Sequence, residues 1–305
     1  MPDIEIIDAH THTYASREIG LRAKGDAATD GNTLGGTIEE LEAAMGLGRI
    51  RRAVMLCLHP YADMREAAIA KIPATLVDAE RAKAEADIEA MLLGRQQRRN
   101  QWTCEVAQQH GNLIPFITFD PSMPADTICA EIEERGRQGS KGIKLHASLG
   151  KFHPYDPRLF PAYDLAQERG LPVVFHGGAF FGGRGEYSRP KNFKEIATRF
   201  PRLTFALAHL GQGYIDEPRE LAGLYAQVAF DCSAIVSSAG EPGGMPPQEL
   251  VALVREVGVH RVQHGSDYPY LDPVRAAAKL LSLPFTADEQ RLIAADNARR
   301  LLRLG

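Results

Sequence analysis

Histidines and carboxylates stand at the ends of short apolar runs in this chain. The first run, residues 4–12, ends Asp8-Ala-His10-Thr-His12. Later runs end Lys144-Leu-His146, Phe175-His176-Gly-Gly, Ala208-His209-Leu-Gly and Gly265-Ser-Asp267. Neutral imidazoles together with a carboxylate are the donors that a borderline divalent cation such as Zn²⁺ prefers. A single strand-end histidine is more often a hydrogen-bonded structural residue. If a fold gathers His10, His12, His176, His209 and Asp267 into one pocket, however, burying them without a partner is costly. A metal ion removes that cost, so metal-dependent chemistry is the first expectation.

The elements that would gather them follow from the apolar runs. Eight occur, at 4–12, 52–59, 113–120, 142–147, 172–178, 204–211, 228–234 and 262–269, rich in Val, Ile, Leu and Phe. Near-continuous apolar runs suit parallel strands buried on both faces. The stretches between them carry helix-start signals. Thr37 with Glu40 and Thr286 with Glu289 match the capping box, and Asp156-Pro157 and Asp272-Pro273 place a cap residue before a first-turn proline. Eight strand–helix alternations predict an α/β fold, a closed (β/α)8 TIM barrel forming one domain over 1–305. A doubly wound open sheet usually has fewer strands and a Gly-rich phosphate turn, which is missing here. In a barrel the C-terminal strand ends converge on one pocket. Period-two alternation in the first run predicts Ile4, Ile6, Asp8, His10 and His12 on one face. His59, at the end of the second run, and His153 are pocket-wall candidates. His110 near a helix C-terminus, His260 at the opposite face and His264, of the wrong parity to Asp267, fall outside the site.

Two segments exceed a minimal barrel. Residues 13–36, rich in Gly, Asp and Thr, read as an extended loop after the first strand. Residues 60–111, after the second strand, read as a helical insertion with a strongly helical stretch from about 77 to 110. Both follow C-terminal strand ends and would form a lid or pocket wall. With Ile88, Leu92 and Trp102 on it, the helix could equally be a packing or oligomer element. Thirty-five basic against 39 acidic residues leave a net charge of −4, which gives no basis for a nucleic-acid or anionic-membrane partner. The longest apolar stretches fall far short of the roughly 20 residues of a membrane span. The opening Met-Pro-Asp-Ile-Glu has no signal-peptide pattern, and Cys57, Cys104, Cys129 and Cys232 stand singly without CxxC spacing. A reduced, cytoplasmic protein with a small-molecule substrate is expected.

The segments Ile-Ile-Asp-Ala-His-Thr-His (6–12), Gly-Ile-Lys-Leu-His (142–146), Val-Val-Phe-His-Gly-Gly (173–178), Ala-His-Leu-Gly (208–211) and Gly-Ser-Asp-Tyr-Pro (265–269) form an ordered set. Together with Asn297-Ala-Arg-Arg-Leu-Leu, the set resembles the amidohydrolase superfamily in its amidohydrolase-related branch. That branch includes aminocarboxymuconate-semialdehyde decarboxylase, γ-resorcylate decarboxylase and pyrone-dicarboxylate lactonase. The likeness runs from residue 4 to the end, apart from 13–36 and 60–111. It implies one divalent metal ion, Zn²⁺ first with Mn²⁺ or Fe²⁺ as alternatives, held by His10, His12, His176 and Asp267. His209 would sit beside the ion, and Asp267 or His209 would move the proton. The resemblance also leaves open a two-metal site bridged by a carboxylated Lys144. Lys144, His146, Arg184 and His59 would contact substrate or orient ligands. The implied activity is hydrolysis of a small carboxylate-bearing amide, ester or lactone by a metal-activated water. The alternatives are nonoxidative decarboxylation of a small unsaturated or aromatic acid, and a barrel that binds a ligand without turnover. A homodimer is a family-level expectation.

Overall fold

Eight short strands lie in one parallel sheet in sequence order: β1 (Ile6–Thr11), β2 (Ile50–Leu56), β3 (Leu113–Ile117), β4 (Gly142–Leu145), β5 (Val173–Phe175), β6 (Phe205–Leu207), β7 (Val228–Asp231) and β8 (Val262–Gln263). The computed structural model describes residues 4–25 and 32–304. Backbone hydrogen bonds from Ala9 N–H to His264 O (2.9 Å) and from Asp267 N–H to His10 O (2.9 Å) join β8 back to β1. Helices alternate with the strands, so the fold is the expected single-domain (β/α)8 barrel. The predicted start signals act where they were placed. Thr37 and Thr286 each form a reciprocal capping box with Glu40 and Glu289, and Asp272 caps the helix Pro273–Ser282.

Alternate strand residues divide between two cores. Ile6, Ala53, Met55, Ile143, Leu145, Val173, Phe175, Phe205 and Phe230 pack with helix residues such as Ile128, Ile132 and Tyr163. The opposite parity, including Ile7, Ala9, Val54, Leu56, Phe116, Val174, Ala206 and Ala229, packs with Ala295, Ala298 and Leu302 of the C-terminal segment. The second set fills the barrel, and its polar continuation along each strand lines the pocket. One expectation changes here. Asp8 pairs with Ala53 and Thr11 with Met55, so β1 advances three residues while β2 advances two. This bulge reverses the parity of β1. Ile6 therefore faces the helices, and His10 and His12 are turned inward with the opposite set. Asp8 staples the bulge, because its Oδ1 accepts N–H bonds from His10 (3.2 Å) and Ser266 (2.9 Å).

The segment after β1 is less irregular than its composition suggests. It contains α1 (Arg17–Lys24), capped by Ser16, and leads into α2 (Ile38–Gly48); residues 26–31 lie outside the described part. The insertion after β2 holds α3 (Tyr61–Ile69) and α4 (Asp78–Gln109), the latter matching the predicted helix. Leu92 and Cys104 of α4 are buried against the barrel and Trp102 packs at the edge, whereas no residue from 78 to 91 is buried. No described helix is long and apolar enough to cross a membrane. The four cysteines are free thiols.

Candidate metal centre

The bulge in β1 and the turn after β8 bring three atoms face to face. His10 Nε2 and His12 Nε2 are 3.1 Å apart, and Asp267 Oδ1 lies 3.6 Å from the first and 3.4 Å from the second. The tautomers follow from what meets the other ring nitrogens. His12 Nδ1 lies 2.8 Å from the carbonyl of Leu56, which can only accept, so Nδ1 carries the proton. His10 Nδ1 donates to Asp231 Oδ2 at 2.9 Å. Burial holds both imidazoles neutral; that of His10 is pushed down to about 3, with the nearby Lys144 adding to the effect. Two imidazole lone pairs and a carboxylate oxygen thus converge in a buried site. A proton could bridge only one pair of them, whereas a metal ion serves all three. Ligand bonds of about 2.0–2.2 Å in a tetrahedral zinc site place ligand atoms roughly 3.3–3.6 Å apart, close to the three edges measured here.

Around this triad lie groups from other strand ends. Lys144, fully buried at the end of β4, places Nζ 3.5 Å from His10 Nε2, and burial lowers its ammonium to about 8. Asp231, at the end of β7, accepts four hydrogen bonds: His10 Nδ1–H, the backbone N–H of His209 (3.1 Å) and of Ser233 (3.0 Å), and the Ser233 hydroxyl (2.5 Å). Burial alone would raise its carboxyl, but His10 holds it well below the usual range. His209 sits in a left-handed turn (φ 60°) after β6, its ring centroid 5.1 Å from that of His10. Neither Asp231 nor Ser233 emerged from the sequence. A signal was present: Asp231 ends its strand at the inward parity that Lys144 and His176 share, below Ala229 of the inner core.

The β4 and β5 ends are arranged differently. The rings of His146 and His176 stack at 4.1 Å and 8°, and both are held neutral by burial. His146 Nδ1 accepts the backbone N–H of Leu149 (3.2 Å), so its proton is on Nε2. His176 Nε2 is buried with no hydrogen-bond partner among the described residues. Its ring centroid is 4.9 Å from that of His209, but it does not join the tight triad. Gly178 allows this approach: at φ 107° it pairs with Gln212, and a Cβ there would meet the Gln212 backbone at 2.5 Å. Phe180 closes edge-on over both stacked rings. Tyr270 meets His12 edge-on, its hydroxyl 3.5 Å from that of Tyr14, and Arg99 of α4 lies over the Tyr14 ring and donates to Thr13 O. His59 is half-buried, its Nε2 without a hydrogen-bond partner among the described residues, and burial, aided by Arg95 and Arg99, lowers it to about 4. Arg184 is committed to Asp63 of α3 at 2.8 Å. His264 is fully buried outside the triad, neither ring nitrogen having a described partner.

A family model described as amidohydrolase matches residues 7–304. Among solved structures, the chain is similar to an uncharacterized TIM-barrel protein from Bordetella bronchiseptica, at 16% identity and TM-score 0.74, covering 98% of this chain and 99% of that one. It is also similar to 2,6-dihydroxybenzoate decarboxylase from Rhizobium (15% identity, TM-score 0.70, 100% and 99% covered). A third is 5-carboxyvanillate decarboxylase from Novosphingobium aromaticivorans, a D314N mutant solved with bound manganese (14% identity, TM-score 0.67, 99% and 97% covered). At these identities the structural likeness speaks for the fold. A sequence comparison with curated proteins finds no match.

Proposed function

The chain belongs to the amidohydrolase family, and we propose that it is a metal-dependent decarboxylase of a small unsaturated or aromatic acid. The observation that carries this reading is the buried ammonium of Lys144 beside three converging, proton-free acceptor atoms. A cation within 3.5 Å of a ligand nitrogen is a partner for an anionic substrate. The names of two similar barrels, decarboxylases of substituted benzoates, support the same class. His10, His12 and Asp267 would hold the ion, with His176 as the fourth ligand. Zn²⁺, Mn²⁺ and Fe²⁺ all accept these donors, and Zn²⁺ is our first choice. Such an ion supplies Lewis-acid polarisation of a substrate oxygen. Lys144 would pair with substrate oxygen, while Phe180, Tyr14 and Tyr270 exclude water. His209 Nε2 would take up a proton and return it to the carbon as the bond to the carboxylate breaks. The electron pair of that bond ends in the new C–H bond, and CO₂ leaves.

A second reading, hydrolysis of a small carboxylate-bearing amide, ester or lactone, is favoured by one feature. The Asp267 side chain keeps 18% of its surface exposed against 3% for Asp231, so it alone of this pair can accept a proton from water. Substrate trials separate the two readings. Protein loaded with Zn²⁺ or Mn²⁺ is incubated with hydroxybenzoates and unsaturated acids, and separately with lactones and amides. Release of CO₂ matching loss of the acid is the expected result. Turnover confined to lactones or amides would replace decarboxylation by hydrolysis. No turnover at full metal loading would leave a binding barrel.

A further inference from the structure

We propose that Asp231 and Ser233 act as a positioning pair that imposes the Nδ1–H tautomer on both His10 and His209, turning a proton-free Nε2 of each toward the reaction centre. The argument counts protons. Asp231 Oδ1 accepts the backbone N–H groups of His209 (3.1 Å) and Ser233 (3.0 Å), so it meets the Ser233 hydroxyl as an acceptor, and its Oδ2 faces His10 Nδ1 at 2.9 Å. Ser233 has one hydroxyl proton, and the contact to Asp231 Oδ1 at 2.5 Å claims it. Oγ is then left with lone pairs alone. It lies 2.9 Å from His209 Nδ1 and 3.2 Å from His10 Nδ1. The Ser233 carbonyl is also 3.2 Å from His209 Nδ1. Two acceptors therefore face that nitrogen, and it must be the protonated one.

All four residues are buried: Ser233 is 0% exposed, His10 1%, Asp231 2% and His209 6%. In such surroundings the opposite tautomer would set lone pair against lone pair with no water to intervene. The pair also aims the His209 ring, because the Asp231 bond to the His209 amide holds the left-handed turn at φ 60°. One carboxylate thus orients a metal-ligand candidate and a proton carrier together, a coupling that the closeness of His10, His209 and Asp231 makes visible.

The role of His209 as proton carrier rests on the proposed function; the tautomers do not. Long-range ¹H–¹⁵N correlation spectra of the metal-free protein read them directly, with His10 and His209 assigned by loss of signal in His10→Asn and His209→Asn. Both rings are expected as Nδ1–H, and an Nε2–H ring at either position overturns the proposal. In the metal-loaded enzyme, Ser233→Ala should lower kcat by about 10–100-fold with KM and metal content unchanged. If His209→Asn abolishes turnover while Ser233→Ala keeps the parent kcat, or if Ser233→Ala empties the metal site, the pair does not act as proposed. If His209→Asn itself leaves turnover intact, the functional reading of His209 fails, and the spectra alone decide the pair.

Discussion

The two histidine corners of the barrel use the same side chain in opposite ways. At the β1 and β8 ends, Nδ1 of His10 and of His12 meets an acceptor, Asp231 Oδ2 and the Leu56 carbonyl, so both Nε2 atoms present lone pairs to Asp267 and to each other. At the β4 and β5 ends, His146 Nδ1 meets a donor, the N–H of Leu149, so its Nε2 presents a proton. Burial keeps all of these rings neutral. The group behind each ring, rather than its charge, thus decides whether it offers the pocket an electron pair or a hydrogen. The first corner suits a cation; the second suits an anionic or carbonyl oxygen of a substrate.

Removing an acceptor from the first corner should have the largest effect. His12→Ala leaves two of the three converging atoms, and affinity for Zn²⁺ should fall by more than the ~100-fold typical of changes one shell further out. Elemental analysis of parent protein purified without chelator should return one ion per chain, and the variant almost none. Two ions in the parent would instead indicate a bridging, carboxylated Lys144. His176→Ala is the sharper probe of the comparison. Loss of the ion would tie the two corners together through a fourth ligand, whereas retention would confine the metal to the β1 and β8 ends. Next in size is His209→Asn, expected to keep the ion and lose about 10²–10⁴ in kcat, the usual worth of a positioned acid–base group. An emptied site in that variant would make His209 a ligand.

The first corner was largely legible in the sequence because it is built from local pattern. His-x-His at the end of an apolar run is conspicuous; at the other corner, the inward parity of Lys144 and His176 likewise follows from period two along their strands. Caps such as Thr37 and Thr286 were legible for the same reason, as each acts within its own turn. Asp231 and Ser233 were not, because Asp and Ser end strands everywhere for reasons of turn chemistry. The extra residue in β1 that reverses its parity leaves no mark in composition. Helix α1 was masked by the Gly, Asp and Thr around it, although Ser16 caps it. Arg184 looked available in its glycine-rich loop, yet its partner Asp63 lies 121 positions away, a relation no local pattern carries.

His264 extends the comparison to a third environment, in which neither ring nitrogen meets a donor or an acceptor among the described residues. Burial lowers it to about 4, with Asp231 opposing, against an ordinary value of 6.5. Its folded pKa is depressed because the neutral ring is the one the core accepts. Between pH 6.5 and about 4 the unfolded chain therefore binds the extra proton, and stability falls as pH is lowered through that window. The contribution is fully present above pH 6.5, and its loss reaches about 3 kcal/mol at the acid end. Urea unfolding of metal-free protein from pH 7 to pH 4 should show a shallower acid decline for His264→Leu than for the parent. Equal slopes would mean that His264 finds a partner when protonated.

The smallest effect should come from the donor corner. His146→Phe keeps an aromatic ring against His176 and Phe180 but removes both the Nδ1 acceptor and the Nε2 donor. The ion should stay, since His146 contributes no lone pair toward the triad. What is lost is one neutral hydrogen bond to substrate, worth about 0.5–1.5 kcal/mol, or roughly a 2- to 12-fold rise in KM. Some loss of stability should accompany it, because the Leu149 N–H loses its acceptor. A melting curve beside the kinetics separates the two consequences. A variant that loses its metal ion would contradict the division between the corners, because His146 would then be holding His176 in a ligand position. An unchanged KM would leave His146 with no hydrogen bond to substrate, its role reduced to the turn that Leu149 closes.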